Sequence, residues 1–288
     1  MVMISAPATS ANLGPGFDSL GLALTLADEV HADLAPSGVT VEVAGEGAGE
    51  VPLGERHLIV RSMRATFDDL GVPQPGLRLR CLNRIPHARG LGSSSAAIVA
   101  GVLAARALAG APDDRAEALR MANALEGHPD NVAPCLLGGL TIAWTEDSGA
   151  KAARLDPHPS VHLKVFVPAQ HGLTAKARAA LPATVPHADA AFNAGRAALL
   201  PHALTTAPEL LLAATEDRLH QSYRASGAPE TAALVAALRA RGLPAVVSGA
   251  GPSVLAFVAD TVDISEITGQ NFAAWPLEVD LGGARISH

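Results

Sequence analysis

Strand-like alternation and helical spacing are interspersed along this chain without strict alternation of element type. That mixture predicts an α+β fold rather than a doubly wound parallel sheet. The 288 residues suffice for one large domain or two modest ones, and 49% are apolar against 17% charged, so a substantial core can form and extensive disorder is excluded. A polar stretch rich in turn residues, DSGAKAARLDPHPS near 147–160, marks a boundary between two units, residues 1–153 and 154–288.

Residues 2–9 read as a short strand broken by the Gly-Pro-Gly loop of ANLGPGFDS, and LGLALTLADEVHADLA continues as one or two strands. VTVEVAGEG alternates as a half-buried strand does, HLIVRSMRATFDDLG has helical spacing closed by glycine, and LRLRCLNRIP alternates again. Helices follow at about 93–109 and 113–126, then the strand GGLTIAWTED. The second unit opens on the strand VHLKVFVPA and continues with helical patterns near 174–181, 187–204, 208–221 and 229–241. PAVVSGAGPSVLAFVAD reads as two strands around a glycine turn, and LEVDLGGARIS supplies a last short strand.

The formal net charge of -7 argues against non-specific nucleic-acid binding, which needs a basic face to displace counterions. MVMISAPATS lacks a basic region followed by a long apolar run, and the most apolar segment, 96–111, is interrupted by Arg106 and too short to span a bilayer. A cytoplasmic protein without membrane partners is the expectation. Cys81 and Cys135 sit in no C-x-x-C pairing; a disulfide stays open, and two buried thiols are the plainer account.

The segment PHARGLGSSSAA carries the clearest chemistry. A helix N-terminus offers unpaired N–H groups and the positive end of the helix dipole, so anions bind there if the backbone can approach closely. Gly90 and Gly92 remove side chains that would block the approach, and Ser93, Ser94 and Ser95 add hydroxyls at the first turn. No G-K-[ST] follows, so this is not a Walker loop, and Ser95 breaks G-x-G-x-x-G. The bland alternative is a serine N-cap on an alanine-rich core helix. One cap needs one serine, whereas here three follow two glycines.

This loop, together with the N-terminal PATSANLGPGFDSLGLAL and the C-terminal VVSGAGPSVLAF, resembles the three ordered motifs of the GHMP kinases over essentially the whole chain. PATSANLGPGFDSLG and LEGHPDNVAPCLLGGL are most similar to the homoserine kinase branch. The resemblance implies a two-domain fold, with an N-terminal domain like the second domain of a ribosomal small-subunit protein and a ferredoxin-like C-terminal domain. It also implies a homodimer and transfer of the ATP γ-phosphoryl to the side-chain hydroxyl of L-homoserine, on the route to threonine. The alternative within the family is another small-alcohol kinase, such as one of the mevalonate pathway.

By the same resemblance, ATP lies on Pro86, Ala88, Arg89, Gly90, Leu91, Gly92, Ser93, Ser94 and Ser95, with Mg²⁺ on Ser94 and Glu126. Homoserine is a zwitterion. Asp18 suits its ammonium, Asn12 its amino-alcohol end, and His128 with Asp130 flanks it. Thr174, Arg178 and Arg224 suit its carboxylate, which the planar guanidinium fork binds bidentately. Gly251, with Ser248 and Gly249, forms a turn that shapes the substrate site. The bland reading of NLGPGFD is an Asx-type turn in which Asn12 and Asp18 bond only local backbone. No residue stands out as a general base. Asp18 is the one candidate, in conflict with its ammonium role, so proton transfer to the phosphate itself is favoured. His57 stands where relatives carry an asparagine near the adenine pocket, and His158 with His162 reads as linker chemistry.

Overall fold

The computed structural model describes residues 1–287 except 173, 260–261, 263–265 and 267–270. Strand β1 (Val2–Ala11) pairs antiparallel with the 16-residue β2 (Leu20–Ala35), with a register shift between Pro7 and Thr9. The first five residues of β2 are buried on both faces, and from Asp28 to Asp33 buried positions alternate with half-buried ones. Two partners share its free edge: β4 (Gly76–Asn83) takes Glu29–Ala35, and β5 (Leu140–Glu146) takes Leu20–Leu22. Strand β3 (Val39–Gly45) lies outermost, parallel to β4 through a crossover that includes α1 (Leu58–Asp69).

Three further helices complete this half: α2 (Ser93–Leu108), α3 (Arg115–Glu126) and α4 (Pro129–Leu137). Helix α2 packs against α1, α3, α4 and β1, and is buried along most of its length. The α1–α2 approach is close enough that a Cβ on Gly101 would lie 2.7 Å from both the Ile59 carbonyl oxygen and Ser62 Cβ. Asp114 caps α3 by accepting from the Ala116 and Glu117 N–H groups, and Gly127, at φ 91°, ends it.

Two features of this half depart from the sequence expectation. The polar stretch near 147–160 is not wholly linker: Gly149–Leu155 forms β6, a hairpin partner of β5, so the boundary drawn at 153/154 falls inside a strand. Helix α4 escaped the sequence reading because Pro134 sits inside it, where periodicity alone signals a break.

The second half is built on a four-stranded antiparallel sheet, ordered β10 (Phe272–Leu277), β7 (Leu163–Pro168), β9 (Val254–Ala256), β8 (Ala245–Val247). Helix α9 (Pro229–Ala240) covers β8 and β9 through Leu234 and Leu238. The long α6 (His187–Thr205) contributes Leu200, Ala203 and Leu204 to the principal core, which is continuous with Ile4, Leu22, Leu79, Met63 and Leu103 of the first half. The expected helix at 208–221 is broken. A 3₁₀ turn leads into α7 (Leu211–Ala214), and α8 (Gln221–Arg224) starts afresh, because the buried Asp217 carboxylate accepts from the Leu219, His220 and Gln221 N–H groups. Short α5 (Thr174–Ala179) lies between β7 and α6, and β11 (Arg285–Ser287) crosses back to pair with β1.

Because Gly101 sits at the α1–α2 contact, Gly101→Val lowers the unfolding free energy by about 1–3 kcal/mol in chemical denaturation, an overpacking cost that helix propensity is too small to offset.

Candidate active site

The glycine-bearing loop of residues 84–92 runs from β4 into the first turn of α2. Gly92, at φ 71°, is the residue that caps the helix, and no side chain bonds the cap, so the serine-cap alternative is overturned. The hydroxyls go elsewhere. Ser94 Oγ and Ser95 Oγ donate to the two oxygens of the Glu126 carboxylate at 3.0 and 2.8 Å. Glu126 reaches them because Gly127 stops α3 beside the start of α2. Ala96 makes the first backbone bond of the helix, back to Gly92, while the N–H groups of Ser93–Ser95 precede that ladder. The result is a helix start with three N–H groups ahead of its ladder and two hydroxyls and a carboxylate alongside.

Neighbouring segments fix this loop. The Thr9 N–H donates to the Leu91 carbonyl at 3.0 Å. A Cβ on Gly92 would collide with Thr9 Oγ1, which itself donates to Asn131 Oδ1 at 2.7 Å. A Cβ on Gly90, at φ 75°, would strike the Ser248 carbonyl and lie 2.9 Å from that of Gly251. Ser248 Oγ donates to the Gly90 carbonyl at 2.7 Å, and the Ala88 carbonyl accepts from the Gly172 N–H. Arg89 donates to the carbonyls of His87, Pro168 and Ala169, which ties the loop to the end of β7. Pro86 and Leu91 are buried.

A charged cluster lies nearby. Asn12 donates through Nδ2 to the Gly249 carbonyl at 2.9 Å and accepts from the Asp18 N–H at 3.0 Å, so the local turn exists but also reaches the far half of the chain. The Asp18 carboxylate is free of that turn and takes a bidentate pair from Arg178, at 2.9 and 2.8 Å. This bond holds the proton on Arg178 more firmly than usual. Buried Arg224 donates through Nε to the Ala177 carbonyl, and both guanidinium groups lie over the Phe17 ring, 5.6 and 5.3 Å from its centroid. Burial, then the neighbouring Arg178, lowers the Arg224 pKa. Two adjacent guanidiniums, one of them partly desolvated, make a site that favours an anion.

His128 Nδ1 lies 2.8 Å from Oδ1 of the buried Asp130. That bond raises the His128 pKa, and Glu126 and Asp18 add to it, so the ring belongs to the same electrostatic neighbourhood as both clusters. Thr174 is exposed at the start of α5, and among the described residues no hydrogen bond joins it to the others. Gly251 lies against the 84–92 loop through Gly90.

The sequence reading missed the residues that anchor the Asn12–Asp18 loop. His220 Nε2 lies 2.8 Å from the Gly14 carbonyl, and Asn193 Nδ2 donates to the Pro15 carbonyl at 2.7 Å. His220 stands four residues before Arg224 in HQSYR, a helical spacing that was available as a signal. His57 is buried with Nδ1 unpartnered among the described residues, and burial followed by nearby His87 lowers its pKa. His158 bonds locally to Ser160, consistent with a linker turn. Both cysteines are free and buried, and burial pushes the Cys81 thiol up to about 12. A cavity of about 1060 Å³ shares Arg224 and Gly251 with the site and extends among α5, α6, α8 and α9.

Family models for the N-terminal and C-terminal domains of GHMP kinases match residues 57–139 and 191–276. The homoserine kinase of Streptomyces coelicolor is 56% identical over 99% of this chain and 94% of its own length, and that of Leifsonia xyli 52% over 99% and 91%. The crystal structure of homoserine kinase from Cytophaga hutchinsonii superposes with a TM-score of 0.85 at 26% identity, covering 99% of this chain and 97% of that one. A mevalonate kinase structure shares the fold at 13% identity, with a TM-score of 0.71 over 96% and 99% of the two chains. No described helix is long and apolar enough to cross a membrane. With both domain models in place and relatives matched from end to end, the chain belongs to the GHMP kinase family.

Proposed function

We propose that this protein transfers the γ-phosphoryl group of ATP to the side-chain hydroxyl of L-homoserine. The observation that carries the substrate is the Asp18–Arg178 pair with Arg224 beside it. A zwitterionic amino acid presents both charges, so its ammonium can take Asp18 while its carboxylate takes the two guanidiniums. Mevalonate has no ammonium and offers Asp18 no opposite charge.

Phosphoryl transfer relies on positioning and on neutralising charge rather than on covalent chemistry by the protein. The open N–H groups of Ser93–Ser95 and the α2 dipole hold the polyphosphate, and the glycines at 90 and 92 let the backbone approach it. Ser94 and Glu126 fit Mg²⁺, being hard oxygen donors already within 3.0 Å of each other and few enough to leave positions for phosphate oxygens and water. When bound, the ion neutralises phosphate charge. No group of three or more His, Cys, Asp or Glu that could hold a metal by itself exists among the described residues, as suits an ion shared with a nucleotide.

The substrate hydroxyl oxygen forms the new bond to the γ-phosphorus as the bond to the β-phosphate bridging oxygen breaks. Both Asp18 oxygens are engaged by Arg178, an arrangement for binding charge rather than taking a proton. The hydroxyl proton therefore passes to a phosphoryl oxygen. The family resemblance supports a cytoplasmic homodimer.

Coupled ADP release across a panel of alcohols gives turnover with L-homoserine and none with mevalonate; the reverse result would sink the reading. Gly92→Val, which drives a branched side chain into Thr9 in a left-handed backbone, raises KM for ATP at least about tenfold in steady-state assays. Asp18→Asn raises KM for homoserine by about 10–100-fold, the loss of a charged hydrogen bond, with kcat at saturation reduced less than about tenfold. A collapse of kcat with KM unchanged would make Asp18 the base.

A further inference from the structure

His220 has one ring nitrogen against Arg224 and the other against the loop that carries Asp18. Its ring is wholly buried on the turn before α8. Arg224 Nη1 lies 3.1 Å from His220 Nδ1, and Gly14 O lies 2.8 Å from Nε2. A guanidinium only donates, so Nδ1 is the acceptor, and the ring is the neutral tautomer whose Nε2–H donates to Gly14. Burial favours that same neutral form. The ring also lies 5.3 Å from that of Phe17, which carries both arginines over its face and stands next to Asp18 in sequence.

Resting on the homoserine reading, we infer that His220 is a positioning residue: through Nδ1 it aims the Arg224 guanidinium at the substrate carboxylate, and through Nε2 it holds the Asn12–Asp18 loop at a fixed distance from that guanidinium. Two observations make this more than core packing. Arg224 has its Nε on the Ala177 carbonyl and one Nη1 hydrogen on His220. Those two bonds fix the plane of the guanidinium and leave its remaining N–H groups for an anion. The Gly14 carbonyl that receives the other nitrogen belongs to the loop carrying Asp18, the proposed ammonium partner. One imidazole thus sets the spacing between the groups that read the two ends of an α-amino acid.

The two nitrogens can be separated by substitution. An asparagine amide stands where Nδ1 does and a glutamine amide where Nε2 does. His220→Asn keeps the Arg224 contact, and His220→Gln keeps the Gly14 contact. The readout is KM for L-homoserine and the kcat/KM preference for L-homoserine over 3-amino-1-propanol, which has the ammonium and hydroxyl but no carboxylate. In His220→Gln, KM for homoserine rises about tenfold, the preference falls by the same factor, and KM for ATP stays within about twofold. His220→Asn holds the preference within about threefold of the unsubstituted enzyme. Thermal midpoints of both variants are recorded, since a purely structural histidine would lower both and move both preferences together. Equal loss in the two variants, or retention in both, overturns the positioning role. An unsubstituted enzyme that does not prefer homoserine to 3-amino-1-propanol overturns the substrate reading itself, and the role with it.

Discussion

Everything in this molecule is arranged around a helix start that must stay open. The N–H groups at the beginning of α2 are free because the residue before it is a glycine in the left-handed region, with no side chain to fold back on them. Keeping them open needs three stretches of chain far apart in sequence to meet where a single Cβ does not fit, Gly90 against Ser248 and Gly251, and Gly92 against Thr9. Backbone contact at that density is cheap only for glycine, and it brings the motifs at residues 7–24, 86–97 and 246–257 together.

Around that helix start the polar groups fall into two clusters of different chemistry. In one, the Ser94 and Ser95 hydroxyls meet Glu126. In the other, opposite charges face each other directly, Asp18 to Arg178, with buried Arg224 over the Phe17 ring. Asp130 is bonded to His128 and close enough to both arginines to favour their charged forms. The loop carrying Asn12 and Asp18 belongs to the first half by sequence, yet it is tethered to the second half at Gly249, His220 and Asn193.

Much of this was legible in the residues. The glycine–serine loop stood out as the start of a helix, strand alternation located most of the sheets, and Arg178 and Arg224 were singled out by the family resemblance rather than by any local pattern. The failures have physical causes. Helix α4 was hidden by Pro134, whose missing N–H reads as a break although a nine-residue helix tolerates it. The helix expected at 208–221 has the right periodicity, but Asp217 offers its backbone a stronger partner than the next helical turn. His220 and Asn193 act on carbonyls 206 and 178 positions away, a relation that no local pattern encodes.

Strand β11 has a bearing on biosynthesis. Met3, Ile4 and Ser5 find their outer partners in Ser287, Ile286 and Arg285. Until those residues leave the ribosome, β1 presents a bare hydrogen-bonding edge. The sheet beneath α2 is therefore sealed by residues some 280 positions downstream of β1, and a chain stalled before β11 would expose a template for pairing with its neighbours.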